Sequence, residues 1–222
     1  MNNIGDNLAS LHECMHRACQ RSGRDIAEIT LVAVTKETDS AAVETAFRLG
    51  QSDFGENRVQ EACLKIGQLQ HLKPGVNWHM IGHLQSNKAR QAMGLFDMIQ
   101  SVDSVKLARL MNRQAVNNMP VLLQVDFTGG ATRSGFSVEE LRPAFEEISR
   151  LPKLSVRGLM TIAPLVDDPQ KARPFFRRLR QLGEELRLEH LSMGMTDDFE
   201  VAIEEGATII RIGRAIFGQR RI

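Results

Sequence analysis

Eight times along this chain, a short run rich in Val, Ile, Leu, Met or Phe is followed after a few polar residues by a segment of helical period. That alternation constrains the fold more than any other feature, because parallel strands need a crossover, usually a helix, between them. The strand candidates are Leu31 to Thr35, Asp53 to Phe54, Trp78 to Ile81, Met98 to Val102, Val121 to Phe127, Val156 to Ile162, His190 to Met193 and Ile209 to Ile212. Helical patterns lie between them at Ser40 to Leu49, Arg58 to Gln68, Ser86 to Met93, Ser104 to Asn117, Val138 to Leu151, Pro169 to Leu186 and Asp198 to Glu205. Several open on Ser, Asp or Asn and are followed by Gly, among them Gly50, Gly94 and Gly206. Those residues satisfy the orphan backbone groups at helix ends. Eight βα units close into a (β/α)8 barrel of TIM type, an α/β fold with its helices outside. The alternative is an open doubly wound sheet, but such sheets usually carry a glycine-rich turn after the first strand, and "TKETDS" has none.

An extra helix precedes the first strand within residues 1–25, where Ile4, Leu8, Leu11, Met15 and Ala18 form an apolar stripe of helical period. His12, His16 and Cys19 in "HECMHRAC" have a spacing that zinc could use. The stripe accounts for the segment more simply as an amphipathic helix. Residues 1–222 therefore read as one barrel domain, and 42% apolar residues suffice for a sizeable core. Lys plus Arg number 28 against 27 Asp plus Glu, so no bulk charge calls for nucleic acid or an anionic membrane, and "GQRRI" is too short for a nucleic-acid arm. A single local anion site remains compatible with that balance. The N-terminus shows no signal-peptide pattern and no apolar run nears the roughly 18 residues of a membrane span, so the expected location is the cytoplasm. Cys14, Cys19 and Cys63 cannot all pair, and they are expected to stay reduced.

Barrels of this type place their chemistry at the C-terminal ends of the strands. In "EITLVAVTKET", Ile29 to Val34 are expected to build the barrel interior and Lys36 to emerge at its mouth, where an apolar wall and neighbouring cations keep an amine nucleophilic for a Schiff base. A salt-bridged strand-end lysine is the plainer alternative. After the seventh and eighth strands, Ser192 and Thr196 surround a glycine in "LSMGMTDD", and Gly213 opens a short terminal helix in "IIRIGRAIFG". Two such loops together favour a bound phosphate. A phosphate site and an aldehyde-seeking amine fit pyridoxal 5′-phosphate, PLP, although a sugar phosphate aldolase would use the same parts. His79 and His83 sit beside Trp78 and Ile81, and they read as packed residues with direct catalysis as the other possibility.

Five ordered blocks, "LVAVTK", "DFGENRVQE", "WHMIGHLQSNK", "RGLMTI" and "LSMGMTDDFEVAIEEGATIIRIGRAIFG", resemble the pyridoxal phosphate homeostasis protein family over nearly the whole chain. The resemblance implies the fold of the alanine racemase N-terminal domain, with PLP held as a Schiff base on Lys36. It places Asn57 in the cofactor pocket, Ser192 and Thr196 at the phosphate, the Gly213 backbone N–H beside them, and Arg211 near the pyridine nitrogen. A cation there disfavours protonation of that nitrogen and makes the ring a poorer electron sink. One departure is Arg133 in "TRSGF", where the family commonly has a lysine. Alanine racemases draw their second base from a tyrosine, and this chain has none. The expected function is thus intracellular PLP homeostasis and carriage by a monomer, with apo PLP-dependent enzymes as its partners and no turnover required. The alternative is a slow PLP-dependent amino-acid racemase or lyase.

Overall fold

A computed structural model describes residues 3–129, 134–164 and 166–218 of the protein. Arg133 and the basic end 219–222 lie outside the described residues. Strands β1 (Thr30–Val34), β2 (Asp53–Glu56), β3 (Asn77–Met80), β4 (Met98–Val102), β5 (Met119–Val125), β6 (Leu154–Thr161), β7 (His190–Ser192) and β8 (Ile209–Ile212) form a closed parallel barrel. Closure runs through β8 and β1, with Leu31 opposite Ile210, Val32 opposite Arg211 and Ala33 opposite Ile212. Around the barrel lie α2 (Ser40–Arg48), α3 (Val59–Gln68), α4 (Ala89–Leu95), α5 (Val105–Gln114), α6 (Val138–Ile148), α7 (Arg173–Leu186), α8 (Phe199–Glu204) and the one-turn α9 (Arg214–Phe217).

The extra N-terminal helix is α1 (Ile4–Ser22). Asn3 caps its start by accepting from the Gly5 and Asp6 N–H groups, and Gly23 ends it at φ 66°. Leu8, Leu11, Met15, Ala18 and Cys19 face inward, and the helix packs on α8 and α9. Cys19 belongs to the apolar face, and among the described residues no group of three His, Cys, Asp or Glu is arranged to hold a metal ion. No helix among the described residues is long and apolar enough to cross a membrane.

Several local expectations are corrected. The helix expected from Ser86 opens as a 3-10 turn, Ser86–Lys88, and continues as α4 to Leu95, so Gly94 lies inside it rather than ending it. Ile29 to Val34 do not all line the interior. Successive residues of a strand point to opposite faces. Val32 accordingly joins Leu122, Met160 and Ile209 inside the barrel, while Leu31 and Ala33 pack in the larger core shared with the helices. Both faces of a parallel barrel strand are buried, which is why the run reads as continuously apolar. The outer core includes Trp78 and Phe54, whose rings lie 5.6 Å apart. β6 and β7 can approach only because residue 158 is glycine, since a Cβ there would sit 2.0 Å from the His190 carbonyl oxygen.

An ionic lattice ties α1 and α7 to α8. Arg21 bonds Glu200 and Glu204, Arg173 bonds Glu204 and Glu205, and Arg177 bonds Glu205 at 2.9 Å. Burial alone would raise the Glu204 and Glu205 carboxyls, but these guanidinium hydrogen bonds outweigh it and hold both below the usual range. A carboxyl depressed in the folded state adds stability above its unfolded pKa of about 4.3, and that stability disappears as pH falls through the folded value. Urea unfolding at pH 7 and pH 3 should therefore show the protein less stable in acid, with a smaller acid loss in the Glu204→Gln/Glu205→Gln variant.

Candidate functional site

β1 ends at Val34, and Lys36 follows two residues later on the rim, exposed. Among the described residues its ammonium has no hydrogen-bond or ion-pair partner. The neighbouring strand β8 supplies Arg211 inside the barrel and then Gly213, where a Cβ would lie 3.0 Å from the Val34 carbonyl oxygen. Closure of the barrel therefore sets the first and last strands side by side, bringing Lys36, Arg211 and Gly213 together from opposite ends of the sequence.

Arg211 is 4% exposed. Its Nη1–H donates to Ser192 Oγ at 2.5 Å and its Nη2–H to the Thr161 carbonyl at 2.8 Å. Burial pushes its pKa down to about 10, with the Asp198 carboxylate opposing that shift. The guanidinium remains cationic at neutral pH. Asp198 itself is shifted upward, chiefly by burial, although it accepts from the Met195 N–H at 2.6 Å.

From Arg211 a single hydrogen-bonded chain crosses the barrel. The Ser192 hydroxyl accepts from Arg211 and donates to Gln100 Oε1 at 2.6 Å. The Gln100 amide then faces His79 Nδ1 at 3.1 Å, and His79 Nε2 meets Asp53 Oδ1 at 3.0 Å. With Gln100 Oε1 occupied as an acceptor, its NH₂ must donate to Nδ1, which assigns the His79 proton to Nε2. Every group thus donates in one direction, from the guanidinium to the Asp53 carboxylate. Burial acts to raise Asp53, but hydrogen bonds from His79 and Ser52 outweigh it and hold that carboxyl low.

This chain bears on two readings. His79 is 5% exposed with both ring nitrogens engaged, so it orients other groups instead of meeting a ligand. Ser192 is fully buried, and its hydroxyl accepts from Arg211 and donates to Gln100. Thr196 is half-buried in the β7–α8 loop, and Asn57 is half-buried after β2. The Asn57 backbone fits against Gly82 of the β3 loop so closely that a Cβ there would lie 2.2 Å from the Asn57 carbonyl oxygen. His83, on the same loop, stays exposed and shares Nδ1 with Asp103 at 2.9 Å and the Ser134 hydroxyl at 3.0 Å. Asp197 beside Thr196 is neutralised by Arg214 at 2.6 Å. Not every strand-end polar group faces the mouth, because Glu56 points outward from the barrel to Lys65 of α3.

The chain matches the model of the alanine racemase N-terminal domain over residues 7–221. A pyridoxal phosphate homeostasis protein of Aquifex aeolicus is 40% identical over 228 residues, covering 99% of each chain. The chain belongs to the pyridoxal phosphate homeostasis protein family. A member from Pseudomonas aeruginosa is 42% identical over 225 residues, covering 99% of this chain and 97% of its own. The structure of PipY from Synechococcus elongatus with PLP bound is 39% identical and superposes with a TM-score of 0.85, covering 97% of this chain and all of that one. Family membership agrees with the barrel. Gln100 and Asp53 were missed as site-linked residues by sequence reasoning. A polar residue inside the otherwise apolar "MIQSV" was the available signal for Gln100.

Proposed function

We propose that this protein binds PLP, tethers it covalently through Lys36 and serves PLP homeostasis by capturing and releasing it. The observation that carries the reading is the pairing of β1 with β8, which puts a primary amine, a buried guanidinium and a glycine turn at one mouth. PLP has three groups to be met: an aldehyde, a ring nitrogen and a phosphate. The donors fit them. Lys36 matches the aldehyde, Arg211 the ring nitrogen, and Thr196 with the Gly213 backbone the phosphate, while Asn57 lines the pocket. Ser192 joins them at the phosphate and also accepts a hydrogen bond from Arg211. Bound there, PLP supplies an electrophilic aldehyde that amines take up reversibly. Arg211 keeps a cation in place of the carboxylate that a strong electron sink requires, so carriage is favoured over carbanion chemistry. Apo PLP-dependent enzymes are the proposed recipients, and the working unit is a monomer.

Incubation of the PLP-loaded protein with a panel of amino acids in deuterium oxide tests this. The expected result is a Schiff-base absorbance that builds on adding PLP, with no α-hydrogen exchange above that of free PLP. Exchange at enzyme-like turnover would replace the carrier reading with a racemase or lyase.

A further inference from the structure

We infer that Lys65 and Glu56 are positioning residues that hold the turn presenting Lys36, an inference that rests on Lys36 being the tether. α3 buries Val59, Ala62 and Ile66, and Lys65 falls on that same inward face at 8% exposure. An apolar side chain would continue the stripe there. Instead the Lys65 ammonium donates to Glu56 Oε1 and to the Thr35 carbonyl, the peptide immediately before Lys36. Glu56 is fully buried, and its Oε1 also takes the Thr35 hydroxyl at 2.6 Å. Among the described residues its second oxygen, Oε2, has no hydrogen-bond partner. A buried ion pair whose carboxylate is only half satisfied contributes little to stability compared with apolar packing of similar volume. Its position suggests another use.

Thr35 is the residue so fixed. Its N–H donates to the Gly55 carbonyl at 2.9 Å, and its own carbonyl accepts from the Thr38 N–H at 3.0 Å as well as from Lys65. The Thr38 bond closes a four-residue turn with Lys36 and Glu37 at its centre. Glu37 has φ 61°, a left-handed conformation that side chains other than glycine rarely adopt. Such backbone strain persists only where surrounding contacts over-determine it. The Lys65 and Glu56 contacts to Thr35 provide that restraint from behind the sheet. They aim Lys36 into the mouth while touching neither it nor any ligand.

The test compares wild type, Lys65→Met and Lys65→Met/Glu56→Gln. In the double variant no carboxylate is stranded, so it separates the cost of a buried charge from the loss of the bond to Thr35. Thermal midpoint and amide hydrogen exchange at Lys36 to Thr38 are measured without PLP, and the rate of PLP capture is followed by absorbance. Lys65→Met is expected to lower the midpoint. The double variant should recover it, while exchange at 36–38 stays accelerated and capture stays slower by about tenfold to a hundredfold, the scale of a misplaced reacting group. If Lys65→Met does not fold, the double variant decides alone. Recovery of wild-type exchange and capture together with the midpoint would reduce the pair to a structural role. Absence of PLP uptake by wild type would instead sink the tether reading, and the exchange measurement would still decide whether the clamp holds the turn.

Discussion

Lys36→Ala should give a fully folded protein that no longer develops the Schiff-base absorbance with PLP. The side chain is exposed, and its ammonium has no partner among the described residues, so removing it costs the fold nothing specific. Surface substitutions of this kind stay within about 0.5 kcal/mol. What disappears is the proposed covalent bond to the ligand. The remaining polar contacts would hold PLP at least about a hundredfold more weakly, or about 2.8 kcal/mol at the usual conversion of 1.4 kcal/mol per tenfold. Absorbance titration and thermal unfolding on the same sample check both halves. A variant that keeps the band places the tether on another lysine, and one that unfolds gives Lys36 a structural role absent from its contacts.

Arg211→Met should behave in the opposite way, losing stability while keeping the amine. The guanidinium makes two charge-assisted hydrogen bonds inside the barrel, to Ser192 and to the Thr161 carbonyl. Such bonds contribute about 1.5–3 kcal/mol each, and removing the donor also orphans the acceptor it leaves behind. Relief of the guanidinium's own desolvation offsets part of the loss. The net expectation is about 3 kcal/mol less unfolding free energy. Lys36 would still react with PLP, but the bound ligand would be released faster because nothing cationic meets the ring. Denaturant titration and a dilution-release assay check these. Unchanged stability would mean that the chain from Arg211 to Asp53 bears no weight in the fold.

The barrel was legible in the sequence because its two determinants are local: apolar runs of strand length and helical periodicity between them. Orientation was less so. In "LVAVTK" every residue from Leu31 to Val34 is apolar, and only the closed barrel decides that Val32 faces inward while Leu31 and Ala33 meet the helices. The same applies to the site. Lys36 stood out as the end of an apolar run, and Gly213 as the opening of a short terminal helix. The commitment of Ser192 was not readable, since its partner Gln100 lies 92 residues away in sequence. Lys65 did leave a trace: a lysine one residue before Ile66 on an otherwise apolar helix face. Such a residue is read as a solvated charge until the fold shows a carbonyl and a carboxylate waiting for it.

The most direct test of the account is borohydride reduction of the PLP-loaded protein followed by peptide mapping by mass spectrometry. The account predicts one phosphopyridoxyl group, on the peptide containing Lys36. A label on Lys65 or another lysine, or none on a protein that nonetheless binds PLP, would contradict it.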